Sequence, residues 1–246
     1  STYGDRQHPP ENMVDELGAA LAPVAKRGGV AVVPVFAVGR AQSVLHAINL
    51  LKERGSLPRQ LPVFLDSPMA VNTTALFAHH PQEHRLSAHE VHALSHSATM
   101  VQTTEDSKAL AKRHGPMVIL SASGMATGGR VLHHLALYAG DHRNLIVLTG
   151  HQAPGTRGAR LAAGEKSIRI HGQEVAIRAQ VVQITSASAH ADGDQTLAWL
   201  RRLDHAPSQV FVVHGEMAAA DRLRERITHE LRWPALVPEQ GAVHSL

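Results

Sequence analysis

The sequence predicts an α/β protein built on a largely parallel sheet. Three observations carry that expectation. Helix-like and strand-like segments alternate with little interruption along the chain. The strand-like segments are short, nearly continuous apolar runs, such as Val30-Ala31-Val32-Val33-Pro34-Val35, as expected of strands buried on both faces. Glycine-rich turns and histidines follow several of these runs, at the carboxyl ends of strands, where α/β proteins gather their chemistry.

Taken in order, residues 11–27 are helix-compatible and stop at Gly28-Gly29, a C-terminal signal. The valine-rich run at 30–35 is the first strand, and residues 40–54 form a second helix ending at Gly55. Residues 61–65 make a short strand, and Pro68 opens the next helix, capped by Asp66 or Ser67. The stretch from 79 to 98, rich in histidine and polar residues, shows no clear period. Residues 108–113 read as helix and 116–120 as strand. A glycine-rich turn leads to a helix from about Arg130, then to a strand at 144–148. Residues 168–170 and 174–184 suggest an antiparallel patch with His171-Gly172 at its turn. Strand, helix, strand and helix at 181–185, 193–203, 209–213 and 217–231 close the chain. The compositional shift near 165–180 marks the expected domain boundary.

At 246 residues there is room for one large or two modest domains. No apolar run approaches the ~18 residues of a membrane span, so no membrane partner is expected. The N-terminus has neither a basic nor an apolar leader, and a cytoplasmic location is expected. The first residue is Ser1 rather than Met, which suggests a piece of a longer reading frame. With no cysteine, any zinc here must be held by His and carboxylates. The formal charge is +3 with 19 histidines counted as neutral, a balance that permits nucleic acid without requiring it. Aromatics are only 3% of residues, too few for a dedicated single-strand stacking surface, so an RNA ligand would be gripped by its backbone.

Two stretches stand out chemically: Ser186-Ala187-Ser188-Ala189-His190-Ala191-Asp192 and Val212-Val213-His214-Gly215-Glu216. Each places a histidine just past a strand-like run, flanked by small residues and a carboxylate, as in a metal or acid/base site. A Ser-His-Asp relay from Ser188, His190 and Asp192 is excluded, because residues two apart on one short loop cannot reach relay geometry. The turn Ser121-Ala122-Ser123-Gly124-Met125-Ala126-Thr127-Gly128-Gly129-Arg130 has the small residues that let backbone N–H groups approach an anion. It lacks the Lys-Ser/Thr of a Walker motif and the spacing of a dinucleotide fingerprint, so a plain strand-to-helix turn stays open. Arg40, at the end of Phe36-Ala37-Val38-Gly39-Arg40, is a phosphate-contact candidate at an equivalent junction. Gly150-His151-Gln152 and the scattered histidines, including His79-His80 and His133-His134, read as structural or surface residues.

In order, Ser1-Thr2-Tyr3-Gly4-Asp5-Arg6-Gln7-His8, Pro34-Val35-Phe36-Ala37-Val38-Gly39-Arg40-Ala41-Gln42, Ser121-Ala122-Ser123-Gly124-Met125, the His190 stretch and Val213-His214-Gly215-Glu216 resemble the motifs of one family. It is the β-CASP branch of the metallo-β-lactamase superfamily, which includes RNA-processing nucleases such as RNase J. The resemblance implies a Rossmann-like β-CASP domain at 1–180, with the trailing end of a lactamase segment at 1–5. A C-terminal segment of the αββα metallo-β-lactamase domain follows at 181–246. It further implies that the H-x-H-x-D-H motif and other metal ligands lie upstream of Ser1.

Carried over by position, His214 matches a ligand to one of two zinc ions, and His190 matches the histidine near the scissile phosphate, a general acid or phosphate binder. Glu216 would orient His214 or face solvent. Arg40 is the phosphate contact already singled out at its junction; Ser123, Gly124, Met125, Ser186 and Ser188 align with segments facing the RNA backbone. The expected function is part of a zinc-dependent ribonuclease, inactive as this piece. The alternative is a non-catalytic RNA-binding or scaffold member of a processing complex. A C-terminal segment without its lactamase partner strands is expected to expose apolar surface, to form a homodimer, or to lie partly disordered.

Overall fold

The computed structural model describes residues 1–8 and 12–244, which form two compact units, Glu11–Ala187 and Ser1–Pro10 with Ser188–Leu246. In the larger unit, α1 (Met13–Lys26) begins where Asn12 accepts the Asp15 N–H at 2.9 Å. Glu11, where this helix was expected to begin, lies outside the described residues. Gly28, at φ +72°, turns the chain into β1 (Val30–Pro34), buried along its whole length. There follow α2 (Arg40–Glu53), β2 (Val63–Asp66), α3 (Pro68–His79), α4 (Ala88–His96), β3 (Thr99–Val101) and α5 (Thr104–Leu110). Then come β4 (Met117–Ser121), α6 (Val131–Tyr138), β5 (Leu145–Thr149), α7 (Arg157–Ala162), the hairpin β6 (Ser167–Ile170) and β7 (Gln173–Ala176), and β8 (Gln180–Ile184).

Six of these strands form one sheet in the order β3-β2-β4-β1-β5-β8, and every pairing within it is parallel. Alternate residues of β1 feed two cores. Ala31 and Val33 pack with Leu17, Leu45, Ile48 and Leu94 of α1, α2 and α4. Val30 and Val32 pack with Leu110, Leu135 and Leu161 of α5, α6 and α7. Helices on both faces explain the continuous apolar inner strands, because neither face of β1, β2, β4 or β5 meets water. Each fully buried leucine, such as Leu45 or Leu135, contributes roughly 1.5–3 kcal/mol over an exposed one.

The structure alters four local readings. The unassigned stretch at 79–98 holds α4, started by a reciprocal capping box between Ser87 and Glu90. The helix expected at 108–113 starts earlier, because Thr103 caps the Asp106 N–H and acidic residues fill the first turn. The antiparallel patch is only β6 with β7, across His171 and Gly172, both at positive φ as a tight hairpin turn requires. The run at 180–184 was expected in that patch and as the first strand of the C-terminal segment. It instead runs parallel to β5 from Leu145↔Gln180 to Thr149↔Ile184. The N–H groups of Arg178 and Ala179 both donate to the Ala139 carbonyl, which steers the chain into the sheet and carries the larger unit on to Ala187.

In the smaller unit, Asp192 caps α8 (Gly193–Leu200) in a capping box with Gln195. Next come β9 (Val210–Phe211), α9 (Met217–Arg226) continuing into a wider helical turn at Ile227–Leu231, and β10 (Ala235–Leu236), parallel to β9. Leu197, Leu200, Val212, Leu223 and Ile227 make its core. The N-terminal residues belong here: Tyr3 pairs with Asp192, and a Cβ on Gly4 would lie 2.6 Å from the Ala219 carbonyl oxygen.

Candidate functional site

In the smaller unit the two singled-out histidines meet. The rings of His190 and His214 are 5.3 Å apart at an interplanar angle of 52°, and both residues are exposed. His190 sits on the loop before α8, where its N–H donates to Ser188 Oγ at 3.1 Å and the Asp192 cap fixes the loop's end. Burial pushes the Asp192 carboxyl up, but the N–H groups of Gln195 and His8 outweigh it and hold the group below its usual range. His214 lies between β9 and α9 with φ at +63°, a left-handed conformation costing an L-residue roughly 1–2 kcal/mol. The strained backbone is tied from the N-terminus: Ser1 Oγ donates to the Val213 carbonyl at 3.0 Å, and Thr2 Oγ1 to the His214 carbonyl at 2.9 Å. A Cβ on Gly215 would run into Ser1, which accounts for the glycine after the histidine. Glu216 is exposed at the N-cap of α9.

His8 is a member of this cluster for which the sequence suggested no role. Its N–H donates to Asp192 at 2.9 Å, its Nε2 is 2.7 Å from the His190 carbonyl oxygen, and its ring packs against Tyr3. Its presence in the Ser1–His8 motif was the available signal; the ring's target is set by folding and is silent in sequence. A catalytic zinc takes about three protein ligands. Among the described residues no group of three or more His, Asp or Glu converges. The described residues therefore do not make a complete ligand shell.

The larger unit holds Arg40, Ser123, Gly124, Met125 and Ser186. Arg40 starts α2 after Gly39, and its guanidinium reaches to 3.9 Å from where a Cβ on Gly150 would stand. Ser123 Oγ accepts the N–H groups of Thr127 and Gly128 at 3.0 and 3.4 Å, so this hydroxyl closes the turn on itself. Gly124 is buried, and a Cβ there would fall 2.8 Å from the Phe36 ring. Gln152 Nε2 donates to the Gly124 carbonyl at 3.3 Å and the Gly158 N–H to the Met125 carbonyl at 3.0 Å, which pin the turn from the β5–α7 loop and from α7 itself. Ser186 follows β8, with its hydroxyl buried and no hydrogen-bond partner among the described residues. Ser188 belongs to the smaller unit.

One buried network escaped the sequence reading. Asp66, at the end of β2, is 0% exposed and accepts from Arg130 at 2.8 Å, His134 at 2.7 Å and Ser107 at 2.6 Å. Burial pushes its carboxyl up, yet those three hydrogen bonds leave it below the usual carboxylate range. The expected cap is also present, since Ser67 Oγ accepts the Ala70 N–H. His134, expected on the surface, is buried at 1% exposure because α6 turns it inward onto Asp66. Arg130 also donates to the Val101 and Gln102 carbonyls, so this network locks the end of the glycine-rich turn to β2 and β3.

Comparison with known proteins agrees with this architecture. Residues 41–161 match the Beta-Casp domain, and residues 174–238 match the Zn-dependent metallo-hydrolase RNA specificity domain. Ribonuclease TTHA0252 of Thermus thermophilus is 40% identical over 225 residues, which are 87% of this chain and 50% of that protein. The RNase J-like protein of Methanocaldococcus jannaschii is 30% identical over 251 residues, 99% of this chain and 57% of its own. Transcription termination factor FttA of Methanosarcina mazei is 32% identical over 219 residues, 84% and 34% of the two chains. The chain thus spans between 34% and 57% of the length of these relatives. With a six-stranded parallel sheet and both domain types in order, the chain belongs to the β-CASP family of metallo-β-lactamase-fold RNA nucleases.

Proposed function

We propose that this chain is the RNA-gripping and proton-donating part of a zinc-dependent ribonuclease that hydrolyses RNA phosphodiester bonds in the cytoplasm. The observation that carries the reading is the pair of exposed imidazoles, His190 and His214, 5.3 Å apart on neighbouring loops of one compact unit. In this reading His214 ligates one of two zinc ions of the longer protein, and Glu216 orients it. Bound zinc would supply an activated water and neutralise phosphoryl charge. His190, held by its loop and not by the metal, donates a proton to the leaving oxygen or binds the phosphate; an imidazole titrates in the range that work needs. Arg40 contacts an RNA phosphate, and the segments that carry Ser123, Gly124, Met125, Ser186 and Ser188 face the RNA backbone. The 246-residue chain alone does not cleave, because it offers His214 where about three ligands must converge.

Two substitutions in the full-length protein test this. His214→Ala lowers zinc content by elemental analysis and abolishes cleavage, whereas His190→Ala keeps its zinc and loses on the order of 10²–10⁴ in rate. Unchanged zinc in the first, or wild-type cleavage in the second, refutes the assignment. Chelator-sensitive cleavage by the 246-residue chain itself would overturn its inactivity. The second reading is a non-catalytic, RNA-binding member, favoured by the similarity to proteins named for transcription termination. It requires that neither substitution change any cleavage.

A further inference from the structure

Phe36 follows β1, next to β4 in the middle of the sheet, and is 45% exposed although it sits at the mouth of the main core. The chain leaves β1 for α2, which packs on one face of the sheet, and leaves β4 for α6, which packs on the other. Loops that part in this way at the carboxyl ends of neighbouring strands are where open α/β sheets take their ligands. Both loops are ones the sequence singled out, and they touch: the Phe36 ring rests where the Cβ of any residue but glycine at 124 would be, 2.8 and 2.9 Å from two ring carbons. Gly124 is buried and its carbonyl is held by Gln152, so the ring has a fixed backing. The Phe36 loop is fixed as well, since Gln42 Nε2 donates to the carbonyls of Ala37 and Ala70.

The surroundings select the occupant. The loops after β1, β4, β5 and β8, residues 35–39, 122–130, 150–156 and 185–187, contain no Asp or Glu. Asp66 ends β2 but is buried on Arg130, while Glu105 and Asp106 lie in the first turn of α5, after the edge strand β3. Arg40, four residues on at the first position of α2, supplies a cation. An exposed aromatic ring on a rigid glycine backing, on loops of the larger unit that carry no Asp or Glu and near an arginine, suits a planar base carried on a phosphate chain. A purely apolar protein partner would have no use for that charge pattern.

We propose that Phe36 is a stacking platform for one RNA base, seated where the backbone passes the Ser123–Met125 turn. This rests on the RNA-binding reading above and adds a base contact to a grip that composition alone ascribes to the backbone. The 246-residue chain is titrated by fluorescence anisotropy with labelled single-stranded oligouridine and with an abasic oligomer of equal length and charge. Wild type should prefer the base-containing strand by about ten-fold. Phe36→Leu should erase that preference and leave abasic binding unchanged, whereas Arg40→Gln should weaken both. Phe36→Trp, a second variant that keeps an aromatic ring, should retain the preference, and its added indole emission should be quenched by oligouridine but not by the abasic strand. Equal wild-type affinity for both strands, a Phe36→Leu variant that keeps the preference, or an unquenched indole overturns the stacking proposal while RNA binding stands. No binding of either strand overturns the RNA reading itself, and the stacking proposal with it.

Discussion

Asp66→Ala is the sharpest test of how the larger unit is held together. The carboxylate is fully buried and is the common acceptor for Arg130, His134 and Ser107. Removing it strands a buried imidazole and cuts the guanidinium from its counter-ion. Arg130 keeps its bonds to the Val101 and Gln102 carbonyls and is 22% exposed, so part of its charge finds other partners. Breaking one side of a buried pair costs about 3–5 kcal/mol, a large fraction of the roughly 5–15 kcal/mol that holds a domain. With a urea slope of about 3 kcal/mol/M, the midpoint should fall by on the order of 1–1.7 M. The chain offers an internal control, because its two tryptophans, Trp199 and Trp233, both lie in the smaller unit. Far-ultraviolet circular dichroism, dominated by the helices of the larger unit, should report the shift, and tryptophan emission should report the smaller unit. Because the Asp66 pKa is lowered on folding, its contribution is present above the unfolded value of 3.8 and is lost as pH falls through the folded value. The gap between wild type and variant should therefore be widest above pH ~4 and close in stronger acid. A loss under about 1 kcal/mol at neutral pH would show that the network is not a structural lock.

Two further outcomes follow from single residues. His214→Gly removes the left-handed strain at φ +63° and should stabilise the smaller unit by up to about 1 kcal/mol by tryptophan emission, though the imidazole is lost; a destabilised unit would mean that the ring packs rather than presents itself. If Arg40 contacts one phosphate, Arg40→Gln should lower the slope of log affinity against log salt by about 1, and an unchanged slope removes it from the contacts.

The parallel sheet was legible because burial on both faces leaves an unbroken apolar run, as at 30–35, 117–120 and 145–148, with Gly28 and Gly55 marking where α1 and α2 stop. The strand at 180–184 was misassigned for the complementary reason. As an edge strand it is only partly buried, and the two glutamines of Gln-Val-Val-Gln-Ile break the apolar run without naming the partner. The carbonyl of Ala139, some forty residues earlier, decides its pairing. Asp66 was half legible: the capping turn showed in Asp66-Ser67-Pro68, but the arginine that pairs with it and the histidine that hydrogen-bonds to it stand at the start of α6 and within it, more than sixty residues on. The signal that was there to use is a carboxylate closing an apolar strand, Val-Phe-Leu-Asp, since a charge at such a position needs a partner.

The candidate site divides along the same physical line. His190 and His214 were visible as histidines just beyond strand-like runs, yet their 5.3 Å approach depends on the smaller unit's fold, in which the N-terminal residues clasp the His214 turn through Ser1 and Thr2. In the larger unit, the glycine-rich turn was open to two readings, an anion cradle or a plain connection. Its geometry gives each residue a distinct task. Ser123 spends its hydroxyl closing the turn, Gly124 makes room for the Phe36 ring, and Arg130 anchors the far end on Asp66. A turn so fully committed to its own shape is rigid before any ligand arrives. That is the condition under which a weak set of phosphate and base contacts can act together, because the ordering cost has already been met in folding.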